Sequence, residues 1–319
     1  MTVRWGILST ARINRKFLDG IAGSPGCEVV AVASRDGARA AAYAREHRIP
    51  RAHGSYEALL ADPEVDVVYI PLPNGLHLEW SRRALEAGKH VLCEKPLGRS
   101  TSEVGAAFDL AERHDRLLME AFMYRHHPQT KRLATLVAEG AIGRLRLIRA
   151  SFSFQLHDPG DVRLSRELDG GALMDLGCYC VNAARMLGGE AEQVGAFQMI
   201  GGDGVDVVFV GSMRFPHSVL AHFDVGFRLA PRDDLEVVGE EATLYLSDPW
   251  HCLSPGIDLR RDDRTERIEI PAANPYTLQA DNFAAAIRGE APPLLGRADA
   301  VDQARTIEAL HESAAGVLP

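Results

Sequence analysis

Short β-branched runs at residues 3–9, 28–34, 65–70, 90–93 and 117–121 alternate with stretches at 13–22, 37–46, 75–87 and 101–114, where apolar residues recur every three or four positions. The first pattern predicts strands and the second amphipathic helices, so this part of the chain reads as successive βαβ units. Right-handed crossovers of this kind build a doubly wound parallel sheet, whose ligands sit beyond the carboxyl ends of its strands. The loops after Ser9, Ser34, Ile70 and Cys93 are therefore expected to frame one crevice. From about Pro128 the pattern becomes a helix followed by long strands of alternating polarity. Over residues 218–227, Val219, Ala221, Phe223, Val225 and Phe227 share one face, while Leu220, His222 and Asp224 share the other. Turn residues at 215–218 and 239–241 mark hairpins. Two helices, 275–288 and 298–315, close the chain. The expectation is an α/β domain over 1–122 and an α+β domain with a mostly antiparallel sheet over 123–319.

A length of 319 residues fits two domains of about 150 each. With 35 Lys+Arg against 44 Asp+Glu, the net charge of −9 gives no general attraction for nucleic acid or an anionic membrane. The most apolar run, 65–72, falls far short of the roughly 20 residues of a membrane span. Five scattered cysteines without a Cys-x-x-Cys argue against a disulfide framework and a structural zinc. No His-Glu-x-x-His occurs, and no metal is expected. The opening residues lack the apolar core of a signal peptide, so the chain reads as cytoplasmic.

The first strand-to-helix turn is where glycines would let a backbone approach a pyrophosphate. Here it reads Ser9-Thr10-Ala11-Arg12-Ile13-Asn14, with small residues in place of glycine and a hydroxyl able to donate to phosphate. The second strand ends in Ser34-Arg35-Asp36. A hydroxyl and a guanidinium there fit an adenosine 2′-phosphate, which favours NADP, with NAD open because of Asp36. Leu72-Pro73-Asn74 and His77 follow the third strand, and Glu94-Lys95-Pro96 follows the fourth. In the second domain, Gly170-Gly171-Ala172-Leu173-Met174-Asp175 leads into Tyr179, four residues after Asp175 and on the same helical face. Tyr124, Arg125, His157 and Arg163 are further polar candidates for binding substrate hydroxyls.

These blocks, with 87–96 and 120–129, resemble the glucose-fructose oxidoreductase / inositol dehydrogenase / MocA family along almost the whole chain. The closest likeness is to its branch of dihydrodiol dehydrogenases, NADP-dependent xylose dehydrogenases and nucleotide-sugar 3-ketoreductases. The resemblance implies a Rossmann domain, then a domain with a large sheet often used for dimer contact, so a homodimer or homotetramer is expected. The last helix is expected to pack back on the first domain. It further implies that Lys95 is the active-site lysine with a cis bond to Pro96, and that Asp175 is the site's acid. Tyr179 stands where many members have histidine; the dihydrodiol branch uses tyrosine as its acid/base. The implied cofactor contacts are Ser9 to Ile13, Ser34, Arg35, Leu72, Pro73, Asn74, His77, Glu94 and Lys95. The implied reaction is alcohol–carbonyl interconversion on a sugar, cyclic polyol or trans-diol. A sensor that binds without turnover and a glycosidase acting through a keto sugar are the alternatives.

Overall fold

A computed structural model describes residues 1–316; the final three residues of the expected second domain lie outside them. In chain order the elements are β1 (Val3–Leu8), α1 (Asn14–Ala22), β2 (Cys27–Ala33), α2 (Gly37–His47), β3 (Arg51–His53), α3 (Tyr56–Leu60), β4 (Val67–Ile70), α4 (His77–Glu86), β5 (His90–Cys93), α5 (Thr101–Arg113) and β6 (Leu118–Glu120). There follow α6 (Pro128–Ala138), β7 (Leu145–Gln155), α7 (Cys178–Gly188), β8 (Gln193–Ile200), β9 (Asp206–Phe215), β10 (Val219–Gly226) and β11 (Arg228–Gly239). The last are β12 (Thr243–Leu246), β13 (Gly256–Arg261), β14 (Arg264–Glu269), α8 (Pro275–Ile287) and α9 (Arg297–Gly316).

The chain divides into two compact units. The first comprises Met1–Met123 and Asn274–Val301. Its sheet is wholly parallel, in the order β3-β2-β1-β4-β5-β6. Successive crossovers leave β1 in opposite directions, so the loops after β1 and β4 part at a topological switch point. Trp5 on β1 is fully buried, edge-on to Phe17 of α1 at 5.3 Å and 6.1 Å from Phe283 of α8. The segment that returns to this unit thus carries the whole of α8, together with the first turn of α9. Gly20 explains how α8 fits: a Cβ there would lie 2.4 Å from that of Tyr276, so any side chain would push the two helices apart. The rest of α9 belongs to the other unit, where Ser313 accepts from the Ala196 amide and His311 packs on Phe209.

The second unit is built on an eight-stranded sheet ordered β14-β13-β12-β11-β7-β10-β9-β8. All its pairs are antiparallel except β7 with β10. The 215–218 turn joins β9 to β10 with His217 and Ser218 both in the left-handed region. Val219, Ala221, Phe223 and Val225 are buried and Leu220 is exposed, as their alternation predicts. The sequence pattern did not single out β3, a three-residue strand, or the charged strands β13 and β14, of which β14 forms the sheet edge. β14 is mostly exposed and β13 buries only its first two residues, Gly256 and Ile257, so neither carries much alternation.

Two histidines give the fold a pH dependence. Burial lowers His126 to about 3 and His90 to about 4, and the Leu117 amide donates to His90 Nδ1, a bond only the unprotonated nitrogen accepts. Unfolded, both would titrate near 6.5. Between that value and their folded pKa the unfolded chain binds more protons, so stability falls with falling pH by about 1.4 kcal/mol per unit for each. Urea melts at pH 7.5 and pH 5.0 should therefore show a clearly lower midpoint in acid. Equal midpoints would contradict this account.

Candidate active site

In the first unit the site begins at the carboxyl edge of the parallel sheet. Ser9, directly after β1, has φ of 136°, a conformation that favours glycine and is held here by three bonds. Its hydroxyl donates to the Pro71 carbonyl at 3.3 Å and accepts from the Ala11 amide at 3.2 Å. Its carbonyl accepts from the buried Asn14 Nδ2 at 2.8 Å. The missing glycine fingerprint is thus replaced by a serine forced into the glycine geometry. The backbone amides of Arg12 and Ile13, at the start of α1, take no backbone partner among the described residues. That leaves donors for an anion at a helix N-terminus.

After β2, Ser34 is buried and its hydroxyl accepts from the Asp36 amide at 3.3 Å. Asp36 caps α2, accepting from the Ala38 and Arg39 amides at 2.9 and 3.2 Å. The carboxylate that left NAD open is thereby engaged with its own helix. Arg35 and Arg39 both lie close enough to Tyr56 to oppose the rise that burial gives its phenol pKa. Arg39, in the first turn of α2, was not singled out from sequence; a second arginine just inside the helix that Asp36 caps is the signal that marks it.

The loops after β4 and β5 are joined by His77, which is fully enclosed. Its Nδ1 lies 2.7 Å from the Pro96 carbonyl and its Nε2 2.8 Å from the Leu72 carbonyl. Carbonyls only accept, and a neutral imidazole donates from one nitrogen, so satisfying both takes the doubly protonated ring. His77 is thus a clamp between two loops. Leu97 donates its amide to the buried Glu120 at 2.7 Å, Tyr69 donates its hydroxyl to Glu94 at 2.6 Å, and the Lys95–Pro96 bond between them is cis. Leu72, Pro73 and Asn74 lie on the same edge, with Asn74 opening a short 3₁₀ turn before α4.

In the second unit the predicted helix start is a π-helical turn, Leu173–Gly177, that passes into α7. Such turns recur at functional sites because they redirect side chains relative to an α-helix. Gly171 starts it with φ of 117°, and a Cβ there would fall 2.1 Å from the Asp206 carboxylate, which accepts from the Leu173 amide at 2.7 Å. Asp206 is a buried anchor that sequence gave no means of finding. Asp175 is ion-paired with Arg163 at 2.9 Å. Tyr179 is buried among three rings: Tyr124 and Phe152, each at 5.7 Å, and Trp250 at 5.9 Å. The Tyr124 hydroxyl and Arg125 both donate to Asn182 Oδ1, at 2.6 and 2.9 Å. Of the four polar candidates, Arg163 is therefore set on Asp175, and Tyr124 and Arg125 are set beneath α7. His157 is exposed after β7 and joins none of these contacts.

Comparison with known proteins follows the same division. Residues 3–122 match the model of the oxidoreductase family with an NAD-binding Rossmann fold, and residues 130–245 match the GFO/IDH/MocA C-terminal domain. The chain belongs to the GFO/IDH/MocA family. It is an NAD(P)-dependent oxidoreductase. A D-xylose 1-dehydrogenase (NADP(+)) from Haloferax volcanii is 39% identical over 97% of both chains. A trans-1,2-dihydrobenzene-1,2-diol dehydrogenase from Danio rerio is 36% identical over 80% of this chain and 77% of its own. The crystal structure of a 3-ketoreductase from Actinomadura kijaniata in complex with NADP and TDP-benzene superposes with a TM-score of 0.92 at 34% identity, covering 98% of each chain.

The His77 clamp is directly observable. Nitrogen-15 NMR of the histidine rings at pH 7 should find both His77 nitrogens protonated, and His77→Gln, which cannot span both carbonyls as a cation, should weaken dinucleotide binding. A neutral single-tautomer signal for His77 would refute the clamp.

Proposed function

We propose that the chain interconverts a secondary alcohol or lactol and its carbonyl on a sugar, cyclic polyol or trans-diol, with NADP preferred over NAD. One observation carries the chemistry: the Tyr179 phenol is enclosed by aromatic rings four residues beyond an acid held by Arg163. The relatives support the substrate class by their names. NADP preference is supported by Asp36 being engaged as a helix cap beside Arg35 and Arg39.

The residues divide the work by position. Amides and hydroxyls of Ser9, Thr10, Ala11, Arg12 and Ile13 would hold the pyrophosphate, and Ser34, Arg35 and Arg39 the 2′-phosphate. Leu72, Pro73, Asn74, His77 and Glu94 would shape the nicotinamide end. When bound, the dinucleotide supplies the hydride acceptor or donor. Tyr179 exchanges the proton of the substrate hydroxyl, while Lys95 and Asp175 hold that oxygen, and the cation of Lys95 favours the phenolate. The rings around Tyr179 exclude water from the transfer.

The partner we propose, besides the small-molecule substrate, is a second copy of the chain; no nucleic acid or membrane enters the reading, and the setting is cytoplasmic. Phe197 and Met199 of β8, Val210 of β9 and Leu220 of β10 expose large apolar surface on adjacent strands of one sheet, Phe197 at 66%. Monomers rarely leave such a patch uncovered.

Two measurements test the proposed reaction and the proposed oligomer. Assays with NADP and NAD against aldoses, inositols and trans-diols should find NADP-linked turnover, and Tyr179→Phe should lower it by about 10²–10⁴-fold with the fold intact; a Phe variant near wild-type rate would remove Tyr179 from proton transfer. In light scattering, the wild type should be an oligomer that Phe197→Glu dissociates. A monomeric wild type would rule out the sheet interface.

A further inference from the structure

Across Phe152 from Tyr179 lies a second polar ring. His251 meets Phe152 edge-on at 5.5 Å, with an interplanar angle of 88°, and Tyr179 meets the same ring edge-on at 5.7 Å. Both polar-tipped rings therefore pack against one apolar plate, two ring contacts apart, on the face of the sheet where Asp233 of β11 pairs beside Phe152 of β7.

His251 is held from two sides. Its Nδ1 is 2.9 Å from Asp233 Oδ2, which fixes the ring's orientation and leaves Nε2 with no hydrogen bond among the described residues. Its backbone is pinned by Asp248, whose carboxylate accepts from the amides of His251, Cys252, Leu253 and Ser254 in one turn, with Cys252 in the left-handed region at φ 55°. Asp233 is mostly enclosed, and burial raises its pKa although His251 and the Trp250 amide face it. The side chains of His251 and Asp233 are 35% and 26% exposed. A half-buried acid that orients an accessible imidazole is costly to desolvate, and stability alone does not require it.

The same side chains, Asp233, Asp248 and His251, lie within metal-ligating reach of one another. Asp248 already accepts from four amides, so a cation would have to break the turn that carries His251. Hydroxyl recognition fits better: an oriented imidazole offers one nitrogen to a polar group, and the neighbouring aromatic plate suits the C–H face of a sugar.

We propose that His251 is a substrate-binding residue that recognises a hydroxyl of the polyol away from the reacting carbon, with Asp233 as the residue that positions it. This rests on the polyol reading of the site given above. It makes the enzyme selective among polyols by the placement of that second hydroxyl, because an analogue lacking it would leave the imidazole unpaired.

The test is binding of D-xylose, myo-inositol and trans-1,2-cyclohexanediol to the NADPH-loaded protein, followed by calorimetry. His251→Phe should weaken the sugar that binds wild type best by about ten- to a hundredfold, with NADPH affinity unchanged. His251→Gln, which keeps a polar group near Nε2, should recover most of that loss, a rescue that a purely packing role would not produce. Asp233→Asn should fall between and should alter the ring nitrogen signals of His251. Wild-type affinity in His251→Phe, or no rescue by glutamine, overturns the inference while leaving the polyol reading in place. Absence of saturable binding of all three compounds to wild type overturns both.

Discussion

Parallel strands end with their carbonyls and the following loops crowded along one edge, and something has to hold loops that share no ladder. In the first unit that task falls to His77, bonded at both nitrogens to backbone carbonyls of the Leu72 and Pro96 loops. His77 therefore helps to fix the loop bearing Glu94 and Lys95 relative to the loop bearing Pro73 and Asn74. Ser9 performs the matching task between the loops after β1 and β4. A hydrogen bond inside a protein is worth roughly 0.5–1.5 kcal/mol net, and leaving a buried carbonyl unmatched costs about 1–3 kcal/mol. An edge organised this way presents its amides and side chains without needing the bound ligand to arrange them.

The second unit solves a different problem, that of opening a helix inside a protein. Asp206 supplies the acceptor for the Leu173 amide, and Gly171 leaves room for that carboxylate. The π-helical turn that follows sets Asp175 against Arg163 and turns Tyr179 into the aromatic cluster. Beneath α7, Asn182 gathers Tyr124 and Arg125, and also donates to Gln303, which takes a second bond from Arg185 and donates to the Cys178 carbonyl. Because each member is matched, the network ties the helix that bears Tyr179 to α9.

Cofactor preference follows from how one acid is used. An acid after the second strand of a dinucleotide fold ordinarily meets a ribose diol and repels a 2′-phosphate. Asp36 instead accepts from two amides at the start of α2, while the guanidiniums of Arg35 and Arg39 both act on Tyr56. Two cations thus gather near this turn, although the chain as a whole is acidic.

Residue order alone determined the parallel architecture of the first unit and most of its elements, since strand and helix periods differ and each is written locally. It also singled out Lys95, Asp175 and Tyr179 as the residues we propose for the chemistry, because they stand in or next to contiguous blocks such as Glu94-Lys95-Pro96 and Gly170 to Asp175. Only the tertiary structure decided that Ser9 takes a glycine's conformation, that Arg163 sits on Asp175, and that His77, Asp206, Asn182 and the Asp233–His251 pair hold what lies around them. The reason is physical. Periodicity reports which face of an element is buried, whereas a hydrogen bond between residues 19, 33 or 58 positions apart depends on where folding brings two chain segments, and no local pattern encodes that meeting.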